Sequence, residues 1–344
     1  MRKLVLFFLL ATTTAFAADK PKNVILMIGD GMGPAHFTAA RLLRADKSNI
    51  SRMRVIGLVM TSCADRAVTD SAAAATAYAT GNKTNYEMLS VSPSGTPMVT
   101  ALELAEKAGK STGLVTTTDF YDATPAAFAA HSKYRHNEDE IVPQILRSGV
   151  DVIAGGGLES FGKGKVPAFD AAFAGTNFNV IRTRAELDGS TGDKQMVLFR
   201  TQSHDRDNPD FPLPVLAKWA IDRLQKDPDG FFLLIEHEGT DSGSHANSSD
   251  DVEASLRSFD EAVGVALDFA SSRNDTLVIV TGDHETGGAR LSESASSHKW
   301  RFEWSTREHT ATAIPIFAFG PGAEMFGAFQ DNTDVGKKLI GLVP

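Results

Sequence analysis

Continuous apolar or β-branched runs at residues 23–28, 113–118, 151–154, 231–235, 276–281 and 315–319 alternate with helix-length stretches at 34–45, 71–79, 98–108, 214–226 and 250–271. Runs without polar alternation mark strands buried on both faces. Strands of that kind separated by helices predict a doubly wound, mostly parallel α/β sheet flanked by helices on both faces. Phe231, Phe232, Phe317 and Phe319 fall in the strand runs and are assigned to the core. Residues 158–212 lack this regularity and are rich in Gly, Asp and Thr, so they read as surface excursions, while 292–307 read as a short polar insertion.

The polar residues that break the pattern fall where strands end. Asp30 follows the first run, Asp122 and Thr124 the second, Glu236 closes the run at 231–235, and Asp283-His284 follows the run at 276–281. In doubly wound sheets ligands bind in the crevice beyond the carboxyl ends of the strands, which is where these side chains are expected. Taken singly, Gly29-Asp30-Gly31 is a turn sequence. Ser71, between Asp70 and an alanine run, reads as a helix N-cap. A serine at a helix start also has the positive end of the dipole beside it, which suits an alkoxide or a phosphate. Asp241 and His245 lie four apart, a metal-ligand spacing if the segment forms one helical turn. An adjacent Asp and His closing a buried strand are costly to leave without a partner. His36, His131, His136, His204, His237 and His298 lack a comparable context and read as surface or capping histidines.

At 344 residues and 42% hydrophobic content, with no linker-like stretch, the chain reads as one large domain over 18–344 with insertions at about 158–212 and 285–308. The formal net charge of −9 argues against an electrostatic grip on nucleic acid or an anionic membrane. Bound metal ions would still make a local positive centre for a small anionic substrate. Residues 1–17 have the parts of a secretory signal: Arg2 and Lys3, an apolar stretch at 4–11, and Ala15-Phe16-Ala17 as cleavage site. Export to a periplasm or the medium is expected. The single cysteine, Cys63, permits no intramolecular disulfide and reads as a small buried or half-buried residue.

Read jointly, the segments resemble alkaline phosphatases of the bacterial and animal type over residues 23–321. Asp30 lies in a Gly-Asp-Gly-Met-Gly loop similar to the family's, and Ser71 in an Asp-Ser-Ala-Ala segment similar to its nucleophile segment. Arg135 follows Asp122 by thirteen residues, as the family's phosphate-binding arginine does; Glu236, Asp241 and His245 keep intervals of five and four, and Asp283, His284 and His309 complete the order. Glu236 and Glu238 are both candidate ligands by position, and the family interval selects Glu236.

The resemblance implies one zinc held by Asp241, His245 and His309, and a second held by Asp30, Asp283 and His284 with the Ser71 oxygen. It implies a magnesium held by Asp30, Thr124 and Glu236, with Asp122 holding its waters. These donor types suit the two metals. It further implies that Ser71 attacks small phosphate monoesters to give a phosphoserine, that Arg135, oriented by Asp70, grips the phosphoryl oxygens, and that inorganic phosphate is released. Ser242 and Ser244 depart from the family pattern and suggest weaker contacts to phosphate, and only 24 residues separate His284 from His309, where many relatives carry a larger crown domain. The expected assembly is a monomer or homodimer. The alternatives are a phosphodiesterase of the same superfamily and an exported metal- or phosphate-binding protein without turnover.

Overall fold

A computed structural model describes residues 20–44, 47–200 and 208–344. The export signal read at 1–17 lies outside these. The strands in chain order are β1 Asn23–Gly29, β2 Val55–Met60, β3 Ser111–Asp119, β4 Val152–Gly156, β5 Asn179–Ile181, β6 Gln195–Leu198 and β7 Phe231–His237. They continue with β8 Thr276–Gly282, β9 Glu285–Thr286, β10 Arg290–Glu293, β11 Trp300–Glu303, β12 His309–Thr310, β13 Ile314–Phe319 and β14 Phe329–Asp331. Ten of them form one sheet in the order β14-β2-β13-β8-β1-β7-β3-β4-β6-β5. From β8 to β5 every pairing is parallel, whereas β13 runs antiparallel to both β8 and β2. The mostly parallel α/β sheet read from the sequence is therefore the observed one.

The continuous apolar runs are explained by two cores, one on each face. In β1, Val24, Leu26 and Ile28 enter one core while Ile25 and Met27 enter the other. Because successive side chains point to opposite faces, a strand covered on both sides must be apolar at every position. One core lies under helices Ser71–Thr80, Ala123–Ala129 and Asn332–Leu342; the other lies under Pro34–Arg44, Leu213–Leu224 and Ser249–Ser271. The helix Ser71–Thr80 is buried along its whole length, as an alanine-rich helix without a charged residue allows.

Two expectations need correction. Residues 158–212 are more than surface excursions, because β5 and β6 within them extend the sheet beyond β4 and the four residues of β6 are all buried. These strands are only three and four residues long, too short to show a period against the surrounding Gly, Asp and Thr. Residues 292–307 contribute to an antiparallel β10–β11 hairpin whose buried Phe302 joins the core on one face of the sheet, so this insertion is not wholly polar. Phe231 and Phe232 are fully buried, while Phe317 and Phe319 are only partly so. Among the described residues no helix is long and apolar enough to cross a membrane.

Candidate active site

The parallel register places three strand ends side by side: Gly29 of β1 is level with Gly282 of β8 and with His237 of β7. Asp30 and Asp283, each one residue further on, thus emerge together. The turn is fixed by Gly31 N–H, which donates to Asp283 Oδ1 at 3.0 Å, and Gly31 has a φ of 73°. A Cβ there would lie 2.8 Å from the Asp241 backbone, so glycine is required by conformation and by space. His284 Nε2 lies 3.2 Å from Asp283 Oδ2, 3.5 Å from Asp30 Oδ1 and 3.3 Å from Ser71 Oγ. Asp30, Asp283 and His284 are buried and present ligand atoms within 4.8 Å of one another.

A second group forms beside the first. The short helix Gly239–His245 makes the turn that the spacing required, setting Asp241 Oδ2 and His245 Nε2 3.2 Å apart. His309 arrives on β12, whose pairing with β9 sets it opposite Thr286. Its Nε2 is 3.5 Å from Asp241 Oδ1 and 3.2 Å from His245 Nε2. His284 adjoins both groups: its ring stacks on that of His309 at 3.6 Å, and Asp241, His284 and His309 also present atoms within 4.8 Å of one another.

The outer nitrogens of these imidazoles are all engaged. His309 Nδ1 donates to the Thr69 carbonyl at 2.9 Å and His245 Nδ1 to the Arg307 carbonyl. Thr286 Oγ1 donates to Asp241 Oδ1, so it accepts from His284 Nδ1 at 3.2 Å. With Nδ1 protonated, each Nε2 turns a lone pair inward. Lone pairs and carboxylates facing one another in this way fit a cation between them, and the outer hydrogen bonds are those that orient metal-ligating histidines.

The electrostatics agree. Burial pushes Asp30 well above the usual carboxylate range, and the charges of Asp283, Asp241, Glu236 and Glu238 push it further. Burial likewise raises Asp283 to about 6, and raises Glu236 to about 8 against a hydrogen bond donated by Thr116 at 2.6 Å. Asp241 moves the other way: burial opposes ionisation, but where no cation lies between them the imidazoles of His245 and His309, once protonated, hold it well below the usual value. Asp30 Oδ1, Asp283 Oδ2 and Thr124 Oγ1 are buried without hydrogen-bond partners. Buried polar atoms in that condition are rare, and a cation held between them would supply the missing partner.

On the other side of the cavity, Asp70 rather than Ser71 caps the helix, accepting from Ala73 N–H at 3.2 Å, and Ser71 is the first helical residue. Capping by Asp70 leaves the Ser71 hydroxyl directed at His284. The second Asp70 oxygen takes Arg135 Nη1 at 3.3 Å, and Asp122 Oδ1 takes Nη2 at 2.9 Å. Asp122 thus orients Arg135 jointly with Asp70, and also caps the helix Ala123–Ala129 that carries Thr124. Ser71, Arg135, Asp241, His245 and His309 share one cavity of about 640 Å³.

Several supporting residues escaped the sequence reading. His36, read as a surface or capping residue, is fully buried: it accepts from Gly33 N–H at 3.1 Å, meets Ser244 Oγ at 3.1 Å, and its imidazole is lowered to about 4 by burial. Its rings of contact are Phe302 and Trp304 of the insertion. His237 is fully buried too. Ser244 therefore braces the helix Gly239–His245 from behind, while Ser242 Oγ donates to Glu238 at 2.9 Å. Thr286 and Thr116, which hold Asp241 and Glu236, carried no sequence signal, since one threonine among many marks nothing.

Residues 21–300 match the family described as alkaline phosphatase. The streptomycin-6-phosphate phosphatase of Streptomyces griseus is 31% identical over 96% of this chain and 93% of that protein. Alkaline phosphatase 4 of Bacillus subtilis strain 168 is 28% identical over 91% of this chain and 87% of its own. Among solved structures, the alkaline phosphatase of the Antarctic bacterium TAB5 superposes with a TM-score of 0.87 at 33% identity, covering 94% of this chain and 98% of that one. Mutants of the TAB5 enzyme have been solved with magnesium in its M3 site.

Proposed function

The chain belongs to the alkaline phosphatase family of metal-dependent phosphatases, and from that premise we propose that it hydrolyses phosphate monoesters through a phosphoserine at Ser71. One arrangement carries this reading: Ser71 Oγ lies 3.3 Å from His284 Nε2 at the start of a helix whose cap, Asp70, also holds Arg135. A binding protein without turnover has no use for a hydroxyl so placed.

In this reading Asp241, His245 and His309 hold one zinc, Asp30, Asp283 and His284 a second with Ser71, and Asp30, Thr124 and Glu236 a magnesium. The inward lone pairs of the histidines suit zinc, and the all-oxygen set suits magnesium. When bound, the metals supply positive charge that favours the Ser71 alkoxide and balances charge on the leaving oxygen. Arg135 binds two nonbridging oxygens of the substrate in its planar fork, already aligned by Asp70 and Asp122. Ser71 Oγ, its proton released to solvent, forms the new P–O bond in line as the ester P–O bond breaks, and the departing oxygen takes a proton from solvent to leave as the alcohol. Water then attacks the phosphoserine, its proton passing to solvent, and releases inorganic phosphate with Ser71 restored. A dianionic monoester matches this concentration of positive charge better than a monoanionic diester.

Steady-state hydrolysis of p-nitrophenyl phosphate and bis-p-nitrophenyl phosphate by metal-loaded protein tests the assignment. A strong monoester preference, lost on chelation and in Ser71→Ala, supports it. Diester preference moves the chain to a phosphodiesterase, and binding of metal and phosphate without turnover makes it a binding protein. Residues 18–344 act in this reading as one exported catalytic domain, so the mature enzyme is expected to begin at Ala18 by N-terminal sequencing.

A further inference from the structure

The cavity holds more than phosphoryl recognition needs. Once Ser71 with its neighbours Thr69 and Asp70, Arg135 and the metal-facing side chains are set aside, its remaining wall is Arg66, Ala67, Val68, Tyr86 and Glu308. The Arg66 guanidinium carbon sits 3.9 Å from the centroid of the Tyr86 ring. Asp65 joins the two residues: it accepts from Tyr86 N–H at 2.9 Å and meets Arg66 Nε at 3.7 Å. That ion pair is long and solvent-exposed, with 56% of the Arg66 side chain accessible, so the stack on Tyr86 rather than the pair defines the guanidinium plane.

The plate is also tied to the phosphate grip. Glu87, the residue after Tyr86, has a φ of 64°, a region that few residues other than glycine enter. In that conformation its N–H donates to Asp70 Oδ1 at 3.2 Å and its carbonyl accepts from Arg135 N–H at 2.9 Å. The segment bearing Tyr86 is therefore bonded to both the helix cap and the backbone of the phosphate-binding arginine, which fixes the offset between plate and phosphoryl group.

We propose that Arg66 and Tyr86 form the leaving-group subsite and select monoesters whose alcohol is a flat aromatic ring over those of flexible alkyl alcohols. One face of the guanidinium covers Tyr86 and the other is open to the cavity, where a ring stacks on it. Ala67 and Val68 continue the apolar wall, and the Glu308 carboxylate disfavours alcohols that carry a further negative charge. This selectivity rests on the phosphomonoesterase reading for its relevance to turnover.

The test compares phenyl phosphate with 2-glycerol phosphate in wild type, Arg66→Ala and Arg66→Lys, and in parallel the binding of phenylphosphonate and methylphosphonate by calorimetry. Reading each variant against wild type for the same substrate cancels intrinsic leaving-group reactivity. The phenyl-to-glycerol ratio of kcat/KM is expected to fall roughly two- to fivefold in both variants, the size of an exposed cation–π contact. Lysine keeps the charge without the plane, so a ratio preserved in Arg66→Lys but lost in Arg66→Ala overturns stacking in favour of charge. An unchanged ratio in Arg66→Ala, or equal loss for both substrates with weakened phosphate inhibition, also overturns the proposal. If wild type turns over neither ester, the phosphomonoesterase reading fails, while the phosphonate affinities still decide whether the plate prefers a ring.

Discussion

Arg135 is gripped at both ends of its fork, by Asp70 at 3.3 Å and Asp122 at 2.9 Å, and its backbone is bonded to Glu87. Charge alone does not reproduce this geometry. Arg135→Lys is expected to lower kcat/KM for a monoester by roughly ten- to a hundredfold, the range for losing a charge-assisted hydrogen bond, with a matching rise in the Ki of inorganic phosphate. An unchanged Ki would show that the fork does not hold the phosphoryl group. At this scale the sequence was informative wherever a polar residue interrupts an apolar run, which is why Asp30, Glu236, Asp283 and His284 stood out. It was silent on His36, because what gives that residue its task is Ser244, 208 positions away, and burial beneath Phe302.

The nucleophile helix Ser71–Thr80 depends on close packing against Asn332–Leu342. A Cβ added at Gly336 would lie 2.1 Å from the Ala77 carbonyl oxygen, so Gly336→Ala must push the two helices apart. Overpacking of this kind costs about 1–3 kcal/mol, measurable by denaturant unfolding. A second element contact links Ala101–Lys107 to the residues after Ala123–Ala129, through His131 Nε2 and Glu103 Oε1 at 3.0 Å. The Glu103 hydrogen bond raises the His131 imidazole although burial opposes it. A raised folded value means that its stabilisation is fully present below the unfolded value of about 6.5 and fades as pH rises through the folded value. The Tm difference between wild type and His131→Gln is therefore expected to be largest under mildly acidic conditions and to shrink toward alkaline pH; a difference that grows with pH would contradict this. Elements legible in the sequence were those long enough to stand out, as continuous apolar runs for β1, β7 and β8 or as a helix-length stretch for Ser249–Ser271. β2 escaped because Gly57 interrupts its apolar run, and β5 and β6 because they are so short.

Over the whole molecule, the fold gathers Asp30, Glu236, Glu238, Asp241 and Asp283 into one buried region at the strand ends. Mutual repulsion there is expected to make the metal-depleted protein the less stable form. Chelation is expected to lower Tm and re-addition of zinc and magnesium to restore it, since ligands that bind only the folded state stabilise it by mass action. A Tm indifferent to chelator, with metal loss verified by elemental analysis, would contradict the site as described. The overall α/β plan was readable because both faces of the parallel strands are buried, whereas the antiparallel placement of β13 was not, since pairing partners far apart in sequence leave no local trace. In the proposed reaction Ser71 carries the phosphoryl group. Acid-quenching the metal-loaded enzyme during turnover of a radiolabelled monoester, then mapping the labelled peptide, tests it most directly. Label is expected on Ser71 and absent from Ser71→Ala; turnover that leaves no label, or label on another residue, would contradict it.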